Sequence, residues 1–242
     1  MRINVVIQAR TGSTRFPGKV LEDLGGHPVL EWVVRAAQAA SQIDEVIVAT
    51  STLPGDDVVA DLADSLGVRV VRGSEDDVLS RYVAALDAHP ADAIVRLTAD
   101  CPLLDPTLID AVAGAWVAAP IHDCVSTVVV RCLPRGLDVE LITAEALRAV
   151  NRIAVGYDHV HVTSLLYAQP TSYRLLGLCV TPLANDLRVT LDTREDLLLL
   201  RALVAELPDA PPAWRDLVAI LRARPDLVSI NSGVEQKPIA AG

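Results

Sequence analysis

Aromatic residues are scarce in this sequence. Phenylalanine, tryptophan and tyrosine make up 3% of its 242 residues, although 51% of the residues are hydrophobic. The apolar content is therefore mainly alanine, valine and leucine, which is typical of a globular α/β protein and not of a disordered chain. A chain of this length suits one large domain with a sizeable core.

Long hydrophobic runs and paired cysteines are also missing. No apolar stretch approaches the roughly 18 residues of a membrane span, and the run at 3–7 is too short for a secretory signal. The cysteines, Cys101, Cys124, Cys132 and Cys179, form no CxxC pair, which favours free thiols in a reducing compartment. We therefore expect a cytoplasmic protein without a membrane partner.

Positive charge is in short supply, since the formal net charge is -10. This balance argues against a nucleic-acid partner. Three cations nevertheless gather in the stretch QARTGSTRFPGKVL, residues 8–21, which follows the first apolar run. A strand that turns into a glycine-rich loop before a helix presents backbone N–H groups to an anion. Arg10, Arg15 and Lys19 would add positive charge to such an anion site.

The loop differs from the two common phosphate-binding motifs. Five residues separate Gly12 from Gly18 and Val20 follows Lys19, so the loop is not a P-loop, and the GxGxxG pattern is absent. Lys19 and Lys237 are the only lysines among 21 lysine and arginine residues. In a chain this biased toward arginine, Lys19 indicates a need for a compact ammonium; the alternative is a solvated surface cation.

Apolar runs alternate with amphipathic stretches along the chain. Strands are predicted at 3–7, 45–50, 68–73, 93–100, 124–130, 136–142, 172–180 and 187–193, and helices at 28–40, 56–66, 76–88, 106–117, 143–151, 159–169, 194–207 and 212–224. Residues 159–169 are compatible with a strand as well as with a helix. Strands that are apolar on both faces and alternate with helices indicate a parallel sheet covered by helices.

The stretch QARTGSTRFPGKVL resembles the signature loop of the CMP-sugar synthetase-like cytidylyltransferases, above all of their spore-coat polysaccharide group. The family also includes the acylneuraminate and 3-deoxy-manno-octulosonate cytidylyltransferases, and the resemblance runs from about residue 3 to about residue 205. It implies a three-layer Rossmann-like, GT-A-like α/β fold with a mostly parallel sheet over 1–227. It also implies a homodimer, with an acceptor and dimerisation insertion at about 120–170. An irregular tail would follow at 228–242.

The resemblance implies that the loop and two later segments bind the nucleotide. The expected contacts are Gln8, Ala9, Arg10, Thr11, Gly12, Ser13, Arg15 and Lys19 in the loop, Arg72, Ser74, Asp77 and Arg81 beside the base and ribose, and Thr98. Ser74 and Asp77 can equally serve only to start a helix.

Two aspartates are candidates for a metal site. Asp100 follows a predicted parallel strand at its carboxyl end, where open α/β sheets bind ligands. The resemblance implies that Asp100 and Asp192 hold a divalent ion on the triphosphate. Mg²⁺ typically binds one or two carboxylates together with substrate phosphates. Arg194 replaces the proline that the family has beside the second aspartate, which affects the helix start and not the ligand.

The acceptor side is less well defined. The candidates are Arg135, Asp138, Glu140 and His161, all by resemblance to the spore-coat group. Asp138 and Glu140 would share one face of a strand, and a solvated strand face explains them equally well. Val160 stands where that group has glutamate, so the usual acceptor is in question.

These features together predict a Mg²⁺-dependent cytidylyltransferase. It would transfer CMP from CTP to an acidic sugar, a phosphonate or a phosphorylated small acid and release pyrophosphate, with Arg10, Lys19 and Asp100 as catalytic residues. One alternative is a nucleotide-sugar-dependent glycosyltransferase, although the sequence has DCP and DTR where such an enzyme needs a DxD motif. The sequence is also compatible with a guanylyl- or uridylyltransferase and with a non-catalytic nucleotide-binding subunit.

Overall fold

A seven-stranded sheet is the frame of the computed structural model, which describes residues 1–235. Within these residues the strands are β1 (Ile3–Gln8), β2 (Asp23–Leu24), β3 (His27–Pro28), β4 (Glu45–Ser51), β5 (Arg69–Gly73), β6 (Ala93–Thr98), β7 (Cys124–Ser126), β8 (Glu140–Thr143) and β9 (Leu175–Gly177). The sheet has the order β5–β4–β1–β6–β8–β7–β9, and β2 forms a separate ribbon with β3. β8 runs antiparallel to both of its neighbours, whereas the other pairs in the sheet are parallel.

Helices cover both faces of the sheet. They are α1 (Val29–Ala39), α2 (Asp57–Ser65), α3 (Val78–Ala88), α4 (Pro106–Ala118), α5 (Ala144–Ile153), α6 (Ser164–Ala168), α7 (Arg194–Val204), α8 (Trp214–Ala223) and α9 (Pro225–Ser229), with 3-10 turns at Lys19–Leu21, Pro54–Asp56 and Gly156–His159. Side chains of α1, α2, α4, α7 and α8 share one core, and those of α3, α5 and α6 share the other. Val5 and Val6 of β1 face opposite cores, as a sheet buried on both faces requires. The predicted three-layer architecture is confirmed.

The strand order places the cation-bearing loop beside the segment that follows β6. β1 and β6 are parallel neighbours, and Gln8 at the end of β1 pairs with Thr98 at the end of β6. Their carboxyl ends therefore open at the same edge of the sheet, which is where ligands bind in open α/β sheets.

The strand predicted at 187–193 is wrong, because this segment is not part of the sheet. It forms an isolated bridge between Arg135 and Arg188, and the Leu191 N–H donates to the Asp100 carbonyl oxygen at 2.8 Å. β6 already pairs with β1 on one side and with β8 on the other. The segment therefore has no open edge of β6 to join and bonds to the loop beyond that strand.

Three strands of the second half are shorter than predicted: β9, which covers 3 residues of the predicted 172–180, and also β7 and β8. Side-chain hydrogen bonds replace the strand ladder beyond the ends of β7 and β8: Val128 N–H donates to Ser126 Oγ at 2.8 Å, and Val139 N–H donates to Thr127 Oγ1 at 3.0 Å. Hydroxyl side chains often offer the backbone such local partners. The helix expected over 159–169 likewise begins only with α6, after a 3-10 turn.

Gly136 allows two loops to approach each other closely. Its φ of 103° lies in the left-handed region, which favours glycine. A Cβ atom at this position would lie 2.6 Å from the Thr190 backbone nitrogen. The loop between β7 and β8 can therefore lie directly against the backbone that leads to Asp192.

All four cysteines are free thiols, as predicted. Over residues 1–235, no helix has the length and apolar character needed to cross a membrane. α9 extends to Ser229, and the predicted tail beyond residue 235 lies outside the described residues. The assignment of 1–227 to one domain with an insertion stays a prediction.

Candidate active site

A cavity of about 270 Å³ opens at the carboxyl ends of β1 and β6. Most of the residues predicted to bind nucleotide or metal line it. They are Gln8, Ala9, Arg10, Gly12, Ser13, Arg15, Lys19, Arg81, Thr98, Asp100 and Asp192. The fold therefore brings together, in one cavity, residues that are distant in the sequence.

Lys19 joins the two aspartates of this cavity. Its Nζ donates to Asp100 Oδ2 at 2.6 Å, to Asp192 Oδ1 at 2.7 Å and to the Leu191 carbonyl oxygen at 2.8 Å. Gly18, with a φ of 73°, precedes the 3-10 turn in which Lys19 lies. Lys19 is 9% exposed, so it is not a solvated surface cation.

The charges at this centre stabilise one another. Burial alone would lower the pKa of Lys19, but Asp100 and Asp192 outweigh it and raise that pKa above its ordinary value. Burial would raise the pKa of Asp192, yet Lys19, Arg188 and Arg15 bring it down to about 2. Burial opposes ionisation of Asp100 too, and Lys19 overcomes it and lowers the pKa. Both carboxylates are therefore ionised at neutral pH.

Asp192 is oriented by the start of α7 and by two arginines. Arg15 Nη2 lies 2.8 Å from Asp192 Oδ2, and Arg188 Nη2 donates to the same oxygen at 2.9 Å. The Asp192 N–H donates to Asp196 Oδ2 at 2.9 Å. Thr193 and Asp196 form a capping box at the first turn of α7, which fixes the backbone on both sides of the Asp192 peptide.

The loop after β1 is anchored by Asp56. The Asp56 carboxylate accepts from the Thr11 N–H at 2.7 Å and from Thr11 Oγ1 at 2.8 Å, and Ser51 Oγ donates to its other oxygen. Asp56 is buried, at 2% exposure. The Thr11 side chain therefore holds the shape of the loop, and the cavity lining does not include it.

Two arginines flank the loop on the side expected for the base and ribose. Arg10 Nη1 donates to the Glu75 carbonyl oxygen at 3.0 Å, and Arg81 Nη1 donates to the Ser74 carbonyl oxygen at 2.6 Å. The Arg81 Nε is buried and has no hydrogen-bond partner. A Cβ atom on Gly12 would lie only 2.4 Å from Glu75 Oε1. The absence of a side chain at Gly12 therefore leaves room for the Glu75 carboxylate.

The other residues expected beside the base lie outside the cavity lining. Arg72 Nε donates to the Ser51 carbonyl oxygen at 2.8 Å, Ser74 Oγ accepts from the Asp77 N–H at 3.1 Å, and Asp77 caps α3 by accepting from the Ser80 N–H at 2.8 Å. The structure thus places Arg72, Ser74 and Asp77 in contacts with the surrounding backbone.

Glu140 lies in a buried polar network next to the cavity. It is 3% exposed, and it accepts from Arg96 Nη1 and from the Tyr167 hydroxyl. Arg96 Nη2 in turn donates to Gln8 Oε1 at 3.2 Å. Burial and Arg96 lower the pKa of His161, which places this imidazole near the same network. Glu140 therefore connects to the cavity through Arg96 and Gln8.

The other acceptor candidates lie among arginines. Arg131 binds both oxygens of Asp138, at 2.6 and 2.9 Å. Burial and the neighbouring cations Arg131 and Arg188 lower the pKa of Arg135. An anion that approached Arg135 would relieve this crowding of positive charge.

The donor set at Lys19 fits a divalent cation. Oxygen atoms of two carboxylates and of the Leu191 carbonyl already surround the Lys19 ammonium. Mg²⁺ prefers oxygen ligands of this kind. Among residues 1–235, no group of three or more histidine, cysteine, aspartate and glutamate side chains could hold a metal ion. The protein therefore offers two carboxylates, and the remaining ligands would come from phosphate and water.

The fold and the cavity together define an α/β enzyme of the nucleotidyltransferase class. The family model described as cytidylyltransferase matches residues 4–202. The chain belongs to the cytidylyltransferase family and is therefore a CTP-using nucleotidyltransferase. This assignment argues against the two alternatives raised by the sequence, a glycosyltransferase and a non-catalytic nucleotide-binding subunit.

Three relatives show what this chain is similar to in sequence. The chain is 35% identical over 240 residues to an uncharacterized protein of Methanocaldococcus jannaschii, covering 98% of this chain and 97% of the relative. It is 34% identical over 230 residues to the spore coat polysaccharide biosynthesis protein SpsF of Bacillus subtilis, covering 91% and 94%. It is 34% identical over 157 residues to the 3-deoxy-manno-octulosonate cytidylyltransferase of Bdellovibrio bacteriovorus, covering 64% and 58%.

Solved structures share the fold. A cytidylyltransferase from Leptospira borgpetersenii superposes with a TM-score of 0.91 and 26% identity, covering 98% of this chain and 100% of the other. A CMP:2-keto-3-deoxy-manno-octonic acid synthetase complexed with CTP superposes with a TM-score of 0.68 and 19% identity, covering 85% and 99%. A protein of Mycobacterium tuberculosis in complex with manganese superposes with a TM-score of 0.60 and 18% identity, covering 84% and 99%.

Proposed function

We propose that this protein transfers CMP from CTP to an anionic acceptor, with an acidic sugar as the first choice, and releases pyrophosphate. The observation that carries this proposal is the Lys19 centre, in which an ammonium bridges Asp100 and Asp192 in the cavity. Arg10 and Arg15 line the same cavity. With Arg81, which also lines the cavity, the site holds four cations and two ionised aspartates, and this suits a triphosphate that arrives with a divalent ion.

The reaction needs positioning and charge neutralisation more than covalent help. An acceptor oxygen attacks the α-phosphorus, its bond to phosphorus forms, and the bond to the pyrophosphate oxygen breaks. Arg10, Arg15 and Lys19 would stabilise the negative charge on the phosphates. Asp100 and Asp192 would hold Mg²⁺, which supplies polarisation of the phosphate when it is bound.

The acceptor is proposed from charge and from the relatives. Arg135 and its cationic neighbours suit a carboxylate or phosphate group. The relative from Bdellovibrio bacteriovorus is named for 3-deoxy-manno-octulosonate, an acidic sugar, and SpsF is named for spore-coat polysaccharide biosynthesis. Phosphonates and phosphorylated small acids share the same anionic chemistry. A homodimer in the cytoplasm that supplies an activated sugar for polysaccharide synthesis is consistent with these features.

A thermal-shift panel tests the nucleotide and the metal. A ligand that binds only the native state raises the melting temperature by mass action. CTP with Mg²⁺ should raise it more than UTP, GTP or ATP with Mg²⁺, and more than CTP with a chelator. A larger shift with UTP, with GTP or with a UDP-sugar would overturn the CTP assignment.

Pyrophosphate release then tests the acceptor. With CTP and Mg²⁺, acidic sugars should give release, whereas neutral sugars of the same carbon skeleton should not. Lys19→Ala and Asp100→Ala should each greatly reduce turnover while the fold persists. Release that is equal for acidic and neutral sugars would refute the anionic acceptor.

A further inference from the structure

Lys19 uses its full hydrogen-bonding capacity within the protein. A lysine ammonium has three donors, and the three acceptors around Nζ are Asp100, Asp192 and the Leu191 carbonyl. In the described structure, the Lys19 side chain is therefore committed to the two carboxylates that were expected to hold a metal. It has no donor left for a phosphate in this arrangement.

The two carboxylates need a cation to be close together and ionised. Two neighbouring carboxylates repel each other, and without a counter-charge one of them takes up a proton. Among residues 1–235, Lys19 is the residue whose charged group contacts both carboxylates. Arg15 and Arg188 contact Asp192 at its other oxygen.

We propose that Lys19 is the resident counter-cation of the Asp100–Asp192 pair and excludes a divalent cation from the free protein, so that the metal binds only together with the nucleotide. This inference rests on the proposed function, because the triphosphate is what would give Lys19 a new partner. An ammonium and a divalent ion on the same two oxygens would lie close together and repel each other, so the bound ammonium weakens the affinity of the pair for a metal.

The exchange explains why the residue is a lysine. Its charge is compact and lies at the end of a flexible four-carbon stem, whereas arginine presents a planar fork that binds carboxylates in a fixed geometry. A lysine can leave the carboxylates when the triphosphate offers its oxygens, and the metal then takes its place. Lys19 is one of two lysines among the 21 lysine and arginine residues of the sequence. It lies at the position where the cation has to leave the carboxylates.

Mn²⁺ binding without nucleotide tests the exclusion, with electron paramagnetic resonance as the readout. Lys19→Met removes the ammonium and keeps a similar volume, so the free variant should bind Mn²⁺ at least about tenfold more tightly than the wild type. Arg15→Met is the matched control, because it removes one positive charge from the same Asp192 without opening the space between the carboxylates. The Mn²⁺ affinity of Arg15→Met should differ from that of the wild type by less than about threefold.

A double variant identifies the site of the gain. Lys19→Met combined with Asp100→Asn should lose the tighter binding, since one of the two carboxylates is neutral. Equal Mn²⁺ affinity of the wild type and Lys19→Met would overturn the inference. Equal gains in Lys19→Met and Arg15→Met would also overturn it, because net charge alone would then explain the effect.

A measurement on the wild type does not depend on a variant of the site itself. Since Lys19 and Lys237 are the two lysines of the sequence, lysine labelled with ¹³C at Cε should give two signals, and the Lys237→Arg protein assigns them. Mg²⁺ alone should leave the Lys19 signal unchanged, whereas Mg²⁺ with CTP should shift it. A shift with Mg²⁺ alone would overturn the inference.

The two proposals can fail separately. If CTP does not bind but Lys19→Met gains Mn²⁺ affinity, the proposed function fails and the exclusion by Lys19 stands. If Mg²⁺ and CTP bind together and Lys19→Met gains no affinity for Mn²⁺, the exclusion fails and the cytidylyltransferase reaction stands.

Discussion

Arg188 binds both carboxylate oxygens of Asp196. Its Nε donates to Oδ1 at 2.9 Å and its Nη2 donates to Oδ2 at 2.9 Å, and Asp196 has an exposure of 0%. The same Nη2 reaches Asp192, while Asn231 Nδ2 donates to Asp196 Oδ1 at 2.8 Å. Asp196 thus positions Asp192 through Arg188 and through the Asp192 N–H. The place of Asp196 in the first turn of α7 does not by itself reveal this role or that of Arg188.

Asp196→Asn should destabilise the protein strongly. It leaves the buried Arg188 without its main counter-charge, and breaking a buried ion pair costs about 3–5 kcal/mol. Urea unfolding followed by circular dichroism measures the loss. Asp209→Asn is the control, because Asp209 pairs with Arg35 at the surface with 66% of its side chain exposed, and exposed ion pairs contribute little to stability. Similar losses in the two variants would contradict the supporting role of Asp196.

Glu140→Ala should act on stability rather than on acceptor binding alone. Glu140 is the buried partner of Arg96, so its removal should cost about 3–5 kcal/mol in the free energy of unfolding. Asp138→Ala is the matched control, since Asp138 was predicted for the same role but its side chain is 33% exposed. We expect a smaller loss for Asp138→Ala in the same unfolding experiment. An unchanged unfolding free energy in Glu140→Ala would mean that the buried network is not structural.

Asp56 should make the stability of the protein depend on acid pH. Burial would raise the pKa of Asp56, but hydrogen bonds from Ser51 and Thr11 lower it below its ordinary value. Because the folded pKa is below the unfolded pKa, the ionised carboxylate stabilises the fold above pH of about 4. This contribution is lost as the pH falls through the folded pKa.

Asp56→Asn should therefore lower the free energy of unfolding at pH 7 by about 1.5–3 kcal/mol, which is typical of hydrogen bonds to a charged group. The gap between wild type and variant should narrow as the pH falls below about 4. Chemical unfolding at several pH values gives both quantities. A gap that is constant with pH would show that the charge of Asp56 is not the stabilising element.

Gly136→Ala should destabilise the fold more than a substitution at an open glycine. Its positive φ alone costs about 1–3 kcal/mol for another residue, and the added Cβ would meet the Thr190 backbone. Gly67→Ala is the control, because Gly67 also has a positive φ, of 72°, but no atom lies within 4 Å of the added Cβ. The difference between the two melting temperatures isolates the close approach. Equal melting temperatures would contradict it.

The sequence predicted the parts of the fold that depend on local pattern. The parallel strands β1, β4, β5 and β6 were visible because each is a short apolar run between helices. Asp100 and Asp192 were found through the family resemblance, and the fold places them together. The ribbon of β2 and β3 was missed, since two-residue strands are too short to show a pattern.

The parts that depend on tertiary contacts could not be predicted in the same way. Residues 187–193 have the alternation of a strand, but the neighbours of β6 leave them no edge to join. Asp56 reads as the first residue of a helix, and its hydrogen bonds to Thr11 span 45 residues. Lys19 was expected to face a triphosphate, whereas its contacts with the two aspartates required the folded chain.

The order of synthesis completes this centre only after all seven strands of the sheet have been made, since β9 ends at Gly177 and Asp192 follows it. Lys19 leaves the ribosome early, but its partner Asp192 follows 173 residues later. Asn231, whose side chain donates to Asp196, lies another 35 residues along the chain. A chain that ends between β6 and Asp192 therefore carries the strands β1, β4, β5 and β6 but only one member of the carboxylate pair. Under the proposed function, nucleotide binding would therefore report that synthesis has passed Asp192.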